Sequence, residues 1–433
     1  MLLCVLMKTS ICLFLAVITF ASVAVAQSTK DKIEIGVQST SLTLFDADFS
    51  VDFTHPGFGG RFTYNFNRSI AAEAEINLFP QKEHFFSNNA EITQVQVGIK
   101  AGKRFKKFGL FAKARLGFLS IDDFFSFVPG PIPVVDGLLQ FDTKLERKNL
   151  FTMDIGGVLE MYPSRRTVVR FEAGDTMVRY PERFDPDFFV DPPVVRLTRP
   201  AKYTHNFQFT AGVGFRLGDF PADDGTSVNG REQTPRFEVG AQFTSMSVAS
   251  ITNARECPAC LSSDVIHTEP GFGTRFTFNL TDYIALEAEG SFFTREILDL
   301  PNPSGYMFQG QFGAKAGKRF ERWGVFGKAR PGFVGFTRVS EVVGSREARI
   351  FGETFVLPVF GVVKKLYFSM DIGGVAELYI SRRWMARFDF GDTIIRWGAL
   401  RAPLTFSFRN PVITRPPETH HNFQFSSGIG FRF

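Results

Sequence analysis

Long apolar runs are what this 433-residue chain lacks. Past the N-terminus no stretch of about 18 or more apolar residues exists, which excludes a helical membrane protein. Tryptophan and tyrosine are scarce, at 3 and 8, and only four cysteines and six histidines occur. Against these scarcities stand 53 phenylalanines. Aromatics this dense do not stay solvated, so a disordered chain is excluded as well. Mean hydropathy is nonetheless near zero and net charge is only +5. The fold must expose or bury much aromatic surface while interleaving it with polar groups.

Residues 1–26 read as a secretory signal. Lys8 charges its start, Ile11 to Val23 form a short apolar stretch, and Ala24-Val25-Ala26 is a small-x-small cleavage site. Its removal takes away Cys4 and Cys12 and leaves Cys257-Pro258-Ala259-Cys260. In an exported protein this pair is most simply a disulfide tying a loop, or idle thiols. A redox site would need a strand–helix setting, and a zinc site would need more ligands than His267 adds.

The chain repeats itself once. Gly57-Phe58-Gly59-Gly60-Arg61-Phe62-Thr63-Tyr64-Asn65 returns as Gly271-Phe272-Gly273-Thr274-Arg275-Phe276-Thr277-Phe278-Asn279. Met153-Asp154-Ile155-Gly156-Gly157-Val158 returns at Met370–Val375, and His205-Asn206-Phe207-Gln208-Phe209 at His421–Phe425. The offsets lie between 214 and 217, the size of a whole domain and far too long for a solenoid. The division is a first repeat over 27–217, a polar linker over 218–235, and a second repeat over 236–433.

Each copy divides into eight alternating segments. In the first they lie near 32–42, 57–67, 69–79, 93–105, 108–119, 150–161, 167–178 and 205–217. In the second they lie near 236–246, 271–280, 283–294, 306–320, 323–336, 366–379, 384–396 and 421–433. In the last segment of copy one, Phe207, Phe209, Ala211, Val213 and Phe215 share one face and Gln208, Thr210 and Arg216 the other. A period of two is a strand, and about ten residues cross a bilayer as a tilted strand.

Charges choose the face that avoids lipid. Copy one places Glu34, Glu73, Glu75, Asp154, Glu160 and Glu172 on the polar faces, with Arg61, Lys100, Lys113, Arg115, Arg170 and Arg216. Copy two places Glu238, Glu287, Glu289, Asp371, Glu377 and Asp389 in matching slots, with Arg275, Lys315, Lys328, Arg330, Arg387 and Arg432. A basic residue facing lipid at mid-depth costs about 2–4 kcal/mol. These groups are therefore expected inside a barrel, paired six against six. Short turns (Asn67-Arg68, Lys106-Lys107, Pro163-Ser164-Arg165; Thr281-Asp282, Glu321-Arg322, Ser381-Arg382) alternate with long loops such as 121–149 and 180–204. Short periplasmic turns opposite long outer loops are the outer-membrane pattern.

On these features the chain resembles the small eight-stranded outer-membrane β-barrels of Gram-negative bacteria, the OmpA/OmpX-like group, in two tandem copies. The terminal Phe423-x-Phe425-x-x-x-Ile429-x-Phe431-x-Phe433 looks like that family's signal to the barrel-assembly machinery. The resemblance implies an all-β transmembrane antiparallel barrel in the cell outer membrane, held among its lipids, but no single activity. Two architectures fit: a pair of eight-stranded barrels, or one sixteen-stranded barrel acting as a porin-like passive channel. The length of 218–235 and the inward glycines (Gly36, Gly98, Gly102, Gly156, Gly212, Gly214) favour the pair, with a narrow, charge-paired lumen.

Little points to chemistry. His205 and His421 recur at the loop end of the last strand of each copy, near Asp175 and Asp392 on the neighbouring strand. A His–Asp pair is a general-base candidate, but no nucleophilic Ser or Cys motif accompanies it, and a rim contact pinning strand register is the simpler reading. The basic stretches Lys103-Arg104-Phe105-Lys106-Lys107 and Ser164-Arg165-Arg166 are read as meeting anionic lipid head groups rather than nucleic acid. The expectation is a non-enzymatic barrel, with no cofactor and no metal, whose long loops bind an extracellular ligand.

Overall fold

The computed structural model describes residues 32–46, 51–80, 91–135, 138–140, 142–187, 194–217, 235–249, 266–295, 305–350, 353–403 and 412–433. The proposed signal segment, residues 218–234 of the proposed linker, and Cys257 and Cys260 lie outside them.

The first repeat forms eight long strands: β1 (Ile33–Asp46), β2 (Val51–Asn65), β3 (Ile70–Phe79), β4 (Ile92–Arg104), β5 (Phe108–Phe127), β6 (Thr143–Met161), β7 (Thr167–Tyr180) and β8 (Phe207–Leu217). The second forms β9 (Phe237–Ala249), β10 (Ile266–Asn279), β11 (Ile284–Arg295), β12 (Gly305–Arg319), β13 (Trp323–Ile350), β14 (Glu353–Tyr379), β15 (Trp384–Trp397) and β16 (Glu418–Arg432). Every strand pairs antiparallel with its successor within a repeat. The ladder then closes: β1 pairs with β8 from Ile33↔Leu217 to Leu42↔Gln208. Likewise β9 pairs with β16 from Glu238↔Arg432 to Met246↔Gln424. Closure leaves no unpaired edge in either ring, the condition for a sheet to sit in hydrocarbon.

Side chains explain why the short turns are tight. Asn67 Oδ1 accepts the backbone N–H groups of Ser69 and Ile70 at 2.7 and 2.9 Å. Thr281 Oγ1 does the same for Tyr283 and Ile284, and the Ser164 and Ser381 hydroxyls do so in the third turn of each copy. Asn, Ser and Thr at these positions supply the turn's missing acceptor.

The strands run further out at the long-loop end than their alternation predicts. β5 and β6 occupy much of 121–149, which the sequence marks as loop, and the ladder reaches Phe127↔Thr143. Within 180–204, Arg183–Asp187 and Val194–Arg199 form a hairpin. β13 and β14 hold 28 and 27 residues. Among the described residues, pairing with the flanking strands stops at Phe336 on β13 and Phe368 on β14, and these two continue as a hairpin to Ile350↔Glu353, with Leu400–Pro403 beside it. Outside hydrocarbon neither face must be apolar, so hydrogen bonding continues while the pattern that marks a membrane strand stops.

Candidate functional site: the stratified lumen and its rims

Each ring encloses side chains in three layers. Toward the short turns lies a layer of ions. Arg115 is 1% exposed. Its Nε and Nη2 donate to Asp154 Oδ2 at 2.9 and 2.7 Å, Nη2 also to Glu172 Oε2 at 2.9 Å, and Nη1 to Glu75. Lys113 lies 2.8 Å from Asp154 and 2.9 Å from Glu172. Arg170 grips Glu73 with two prongs, and Lys100 joins Glu73, at 3.2 Å, to Glu160. Arg61 reaches Glu34 at 3.4 Å and Glu172 at 3.5 Å, and Arg216 stands 3.6 Å from Glu34 at the mouth.

The second ring repeats the scheme. Arg330 contacts Asp371 at 2.6 Å and Glu289 at 2.5 Å. Arg387 grips Glu287 and donates to Asp389 at 2.8 Å. Lys315 joins Glu238, Glu287 and Glu377, while Lys328 sits 2.8 Å from Asp371. Arg275 lies 3.5 Å from Asp389, and Arg432 3.2 Å from Glu238. In each ring these acids and bases contact one another in ion pairs. Inward glycines let neighbouring strands approach closely beneath these side chains: an added Cβ at Gly98 would lie 2.1 Å from the Ala114 carbonyl oxygen on the adjacent strand, and one at Gly313 would lie 2.2 Å from that of Ala329.

Sequence reading missed several partners. Tyr162 and Tyr379 donate to Glu160 and Glu377, each at 2.8 Å. Arg104, assigned to a head-group-binding turn, instead donates to Asn65 Oδ1 at 2.8 Å and lies 3.6 Å from Glu160. Arg319 does the same with Asn279 at 2.6 Å and Glu238 at 3.6 Å. The signal was available: Arg104 is in phase with inward Lys100, and Arg319 with Lys315.

Above the ions lies a layer of amides and hydroxyls. Gln38 donates to Asn77, Asn77 to Gln94 and Gln94 to Gln208, at 2.9, 2.9 and 3.0 Å. Thr176 donates to Gln208 at 2.7 Å. Gln309, Gln424, Thr393 and Thr244 build the counterpart. Above this again, the inward face turns apolar. Leu42, Phe79, Ile92, Leu119, Leu150 and Val178 cluster in the first ring. Met246, Phe293, Met307, Phe336, Ile395 and Trp397 cluster in the second. Along β1 the inward series Glu34, Gln38, Thr40, Leu42 passes through all three layers.

The His–Asp pairs form on the rim. His205 Nδ1 lies 2.6 Å from Asp175 Oδ2, and His421 Nδ1 lies 2.5 Å from Asp392 Oδ2. The other carboxylate oxygen of each Asp accepts the next backbone N–H, of Asn206 or Asn422, at 3.0 Å. The Asn206 amide bonds the carbonyls of Thr176 and Thr204. Each pair is therefore embedded in contacts that bind the start of the last strand to its neighbour. Among the described residues no group of three or more His, Cys, Asp or Glu is arranged to hold a metal ion.

Closed antiparallel rings, an apolar outer face and a charged interior define an outer-membrane β-barrel protein. Residues 12–180 match the family model described as outer membrane protein beta-barrel domain. Solved structures similar to the chain include the N-terminal β-barrel domain of Pseudomonas aeruginosa OprF (12% identity, 44% of this chain and all of that one, TM-score 0.25). Ail, the attachment invasion locus protein of Yersinia pestis, is 10% identical over 47% of this chain and all of its own, with a TM-score of 0.25. A Pseudomonas aeruginosa FadL homologue is 9% identical over 93% of this chain and 91% of its own, with a TM-score of 0.28. No curated protein matches.

Proposed function

We propose that the chain is a pair of tandem, closed outer-membrane barrels that do not conduct, and that it acts by presenting its outer hairpins to an extracellular ligand. The observation that carries this is the ion layer around Arg115, whose three carboxylate partners come from strands on different sides of the lumen. A ring filled by buried ion pairs has no room for an aqueous path of porin width. The ladders β1–β8 and β9–β16 support the pair, since one sixteen-stranded barrel would need β8 to pair with β9 and β1 with β16. The surface role is supported by the β13–β14 hairpin, which projects past its neighbours with Val343 and Val362 exposed. Planar-bilayer recording tests the closed lumen. The expected trace is flat or shows only small, brief steps, and large, stable conductance overturns the proposal. Deletion of 340–362 with the rings intact should abolish binding to whatever host or matrix surface the whole protein binds.

A further inference from the structure

Outward-facing residues of a lone transmembrane ring all meet lipid. Most here are accordingly open: Val37 is 69% exposed, Val97 57% and Phe312 60%. One flank differs. Val169 on β7 and Ala386 on β15 point outward, opposite in phase to the inward Arg170 and Arg387, yet both are 0% exposed. They belong to one apolar cluster with Met161, Phe171, Ala211 and Ile380, drawn from both repeats.

The contacts join like to like. Phe171 stacks on Phe388 with ring centroids 6.1 Å apart and planes 7° from parallel. These residues are 217 apart, the offset that relates Met153–Val158 to Met370–Val375, so each is the other's counterpart. Val169 with Ala386, and Met161 with Leu378, share that offset and meet in the same cluster. At the long-loop end Thr54 of β2 bridges Thr268 of β10, antiparallel. They are 214 apart, the offset of the Gly57–Asn65 motif. A surface patch that meets its own copy lies on a two-fold axis, and such an isologous contact closes on itself. Beside this axis the symmetry is broken. Phe243 of β9 stacks on Phe209 at 4.1 Å, whereas its counterpart on β1, at the 204-residue offset of Glu34 and Glu238, is Ser39.

We propose that the two barrels form a lipid-excluding, pseudo-two-fold dimer within one chain, each being the partner of the other through its β7 or β15 flank. This rests on the two-barrel reading. The two like-with-like contacts lie at different heights, Phe171–Phe388 beside the ion layer and Thr54–Thr268 at the long-loop end, so the proposed axis follows the barrels and both stand the same way up. The full chain with Cys257→Ser and Cys260→Ser, carrying Phe171→Cys and Phe388→Cys, is treated in outer membranes with a short bismaleimide and analysed by peptide mass spectrometry. A link within one chain is expected in most molecules, and far less linking for Phe171→Cys with Phe312→Cys. Linking no greater than that control, or linking between chains, overturns the seam. Val169→Cys with Ala386→Cys repeats the test should the aromatic pair fail to assemble. Ile35→Cys with Phe215→Cys, paired across β1 and β8, tests ring closure separately. If that pair links and the seam pairs do not, the seam alone is wrong, and if none links, both readings fall.

Discussion

Arg170 and Glu73, ninety-seven residues apart, meet inside the first lumen as a two-pronged ion pair, with Nη2 to Oε2 at 2.7 Å. Arg387 and Glu287 repeat the contact one hundred residues apart in the second, with Nη2 to Oε2 at 2.9 Å. Each pair spans its ring, joining the third strand to the seventh. Burial makes such a pair costly to break from one side, because the remaining charge is left without its partner in a medium of low dielectric.

Glu287→Gln should therefore destabilise the second ring by about 3–5 kcal/mol. The three tryptophans, Trp323, Trp384 and Trp397, all lie in the second repeat, so urea unfolding in lipid vesicles followed by tryptophan fluorescence reports that ring. Glu73→Gln should weaken the first ring by a similar amount, read by mobility of unboiled samples on denaturing gels. An equal shift of the tryptophan transition by Glu73→Gln would mean that the rings unfold as one unit.

Gln96 is buried, yet among the described residues neither its side-chain nitrogen nor its oxygen has a hydrogen-bond partner, and Gln311 in the second ring is the same. Unpaired buried amides cost roughly 1–3 kcal/mol. Gln311→Leu should leave stability unchanged or raise the urea midpoint, in contrast to every substitution in the ion layer. A fall in the midpoint comparable with that of Glu287→Gln would show that Gln311 is satisfied by ordered water.

Asp185, in the outer hairpin of the first repeat, supplies a pH dependence outside the membrane. Burial raises its pKa, but the Thr198 hydroxyl at 2.5 Å and Arg183 at 2.8 Å outweigh this, and the carboxyl titrates below its ordinary value of 3.8. A lowered folded-state pKa stabilises the fold above the ordinary value and loses that contribution as pH falls through the lowered one. Amide protection across Arg183–Asp187 should thus hold at neutral pH and fade only in strong acid. Asp185→Asn should weaken protection at neutral pH and flatten its pH profile.

The sequence made the inward charges legible because lipid forbids them on the other face, so a period of two assigns a direction to each charge. It marked Asn67, Ser164, Thr281 and Ser381 as turns, and the structure gives each an acceptor role there. The outer limits of β5, β6, β13 and β14 were not legible, since in water both faces of a hairpin tolerate mixed side chains. The apolar upper layer was hidden for a related reason. Leu42 and Phe79 sit among outward apolar residues, and only their phase, shared with Glu34 and Glu73, separates core from lipid face. Pairings across the lumen, such as Arg61 with Glu172, join strands that are not neighbours and carry no local signature.

The apolar layer above the ions has an electrical consequence. Leu42, Phe79 and Leu119 stand between the charges and the external medium, which in free solution would screen them over about 10 Å at 0.1 M salt. Buried pairs escape that screening. The folded stability of these rings should change little between dilute buffer and molar sodium chloride. Leu119→Ser should make it salt-dependent, since the ion layer works as an insulated circuit only while its stopper stays dry.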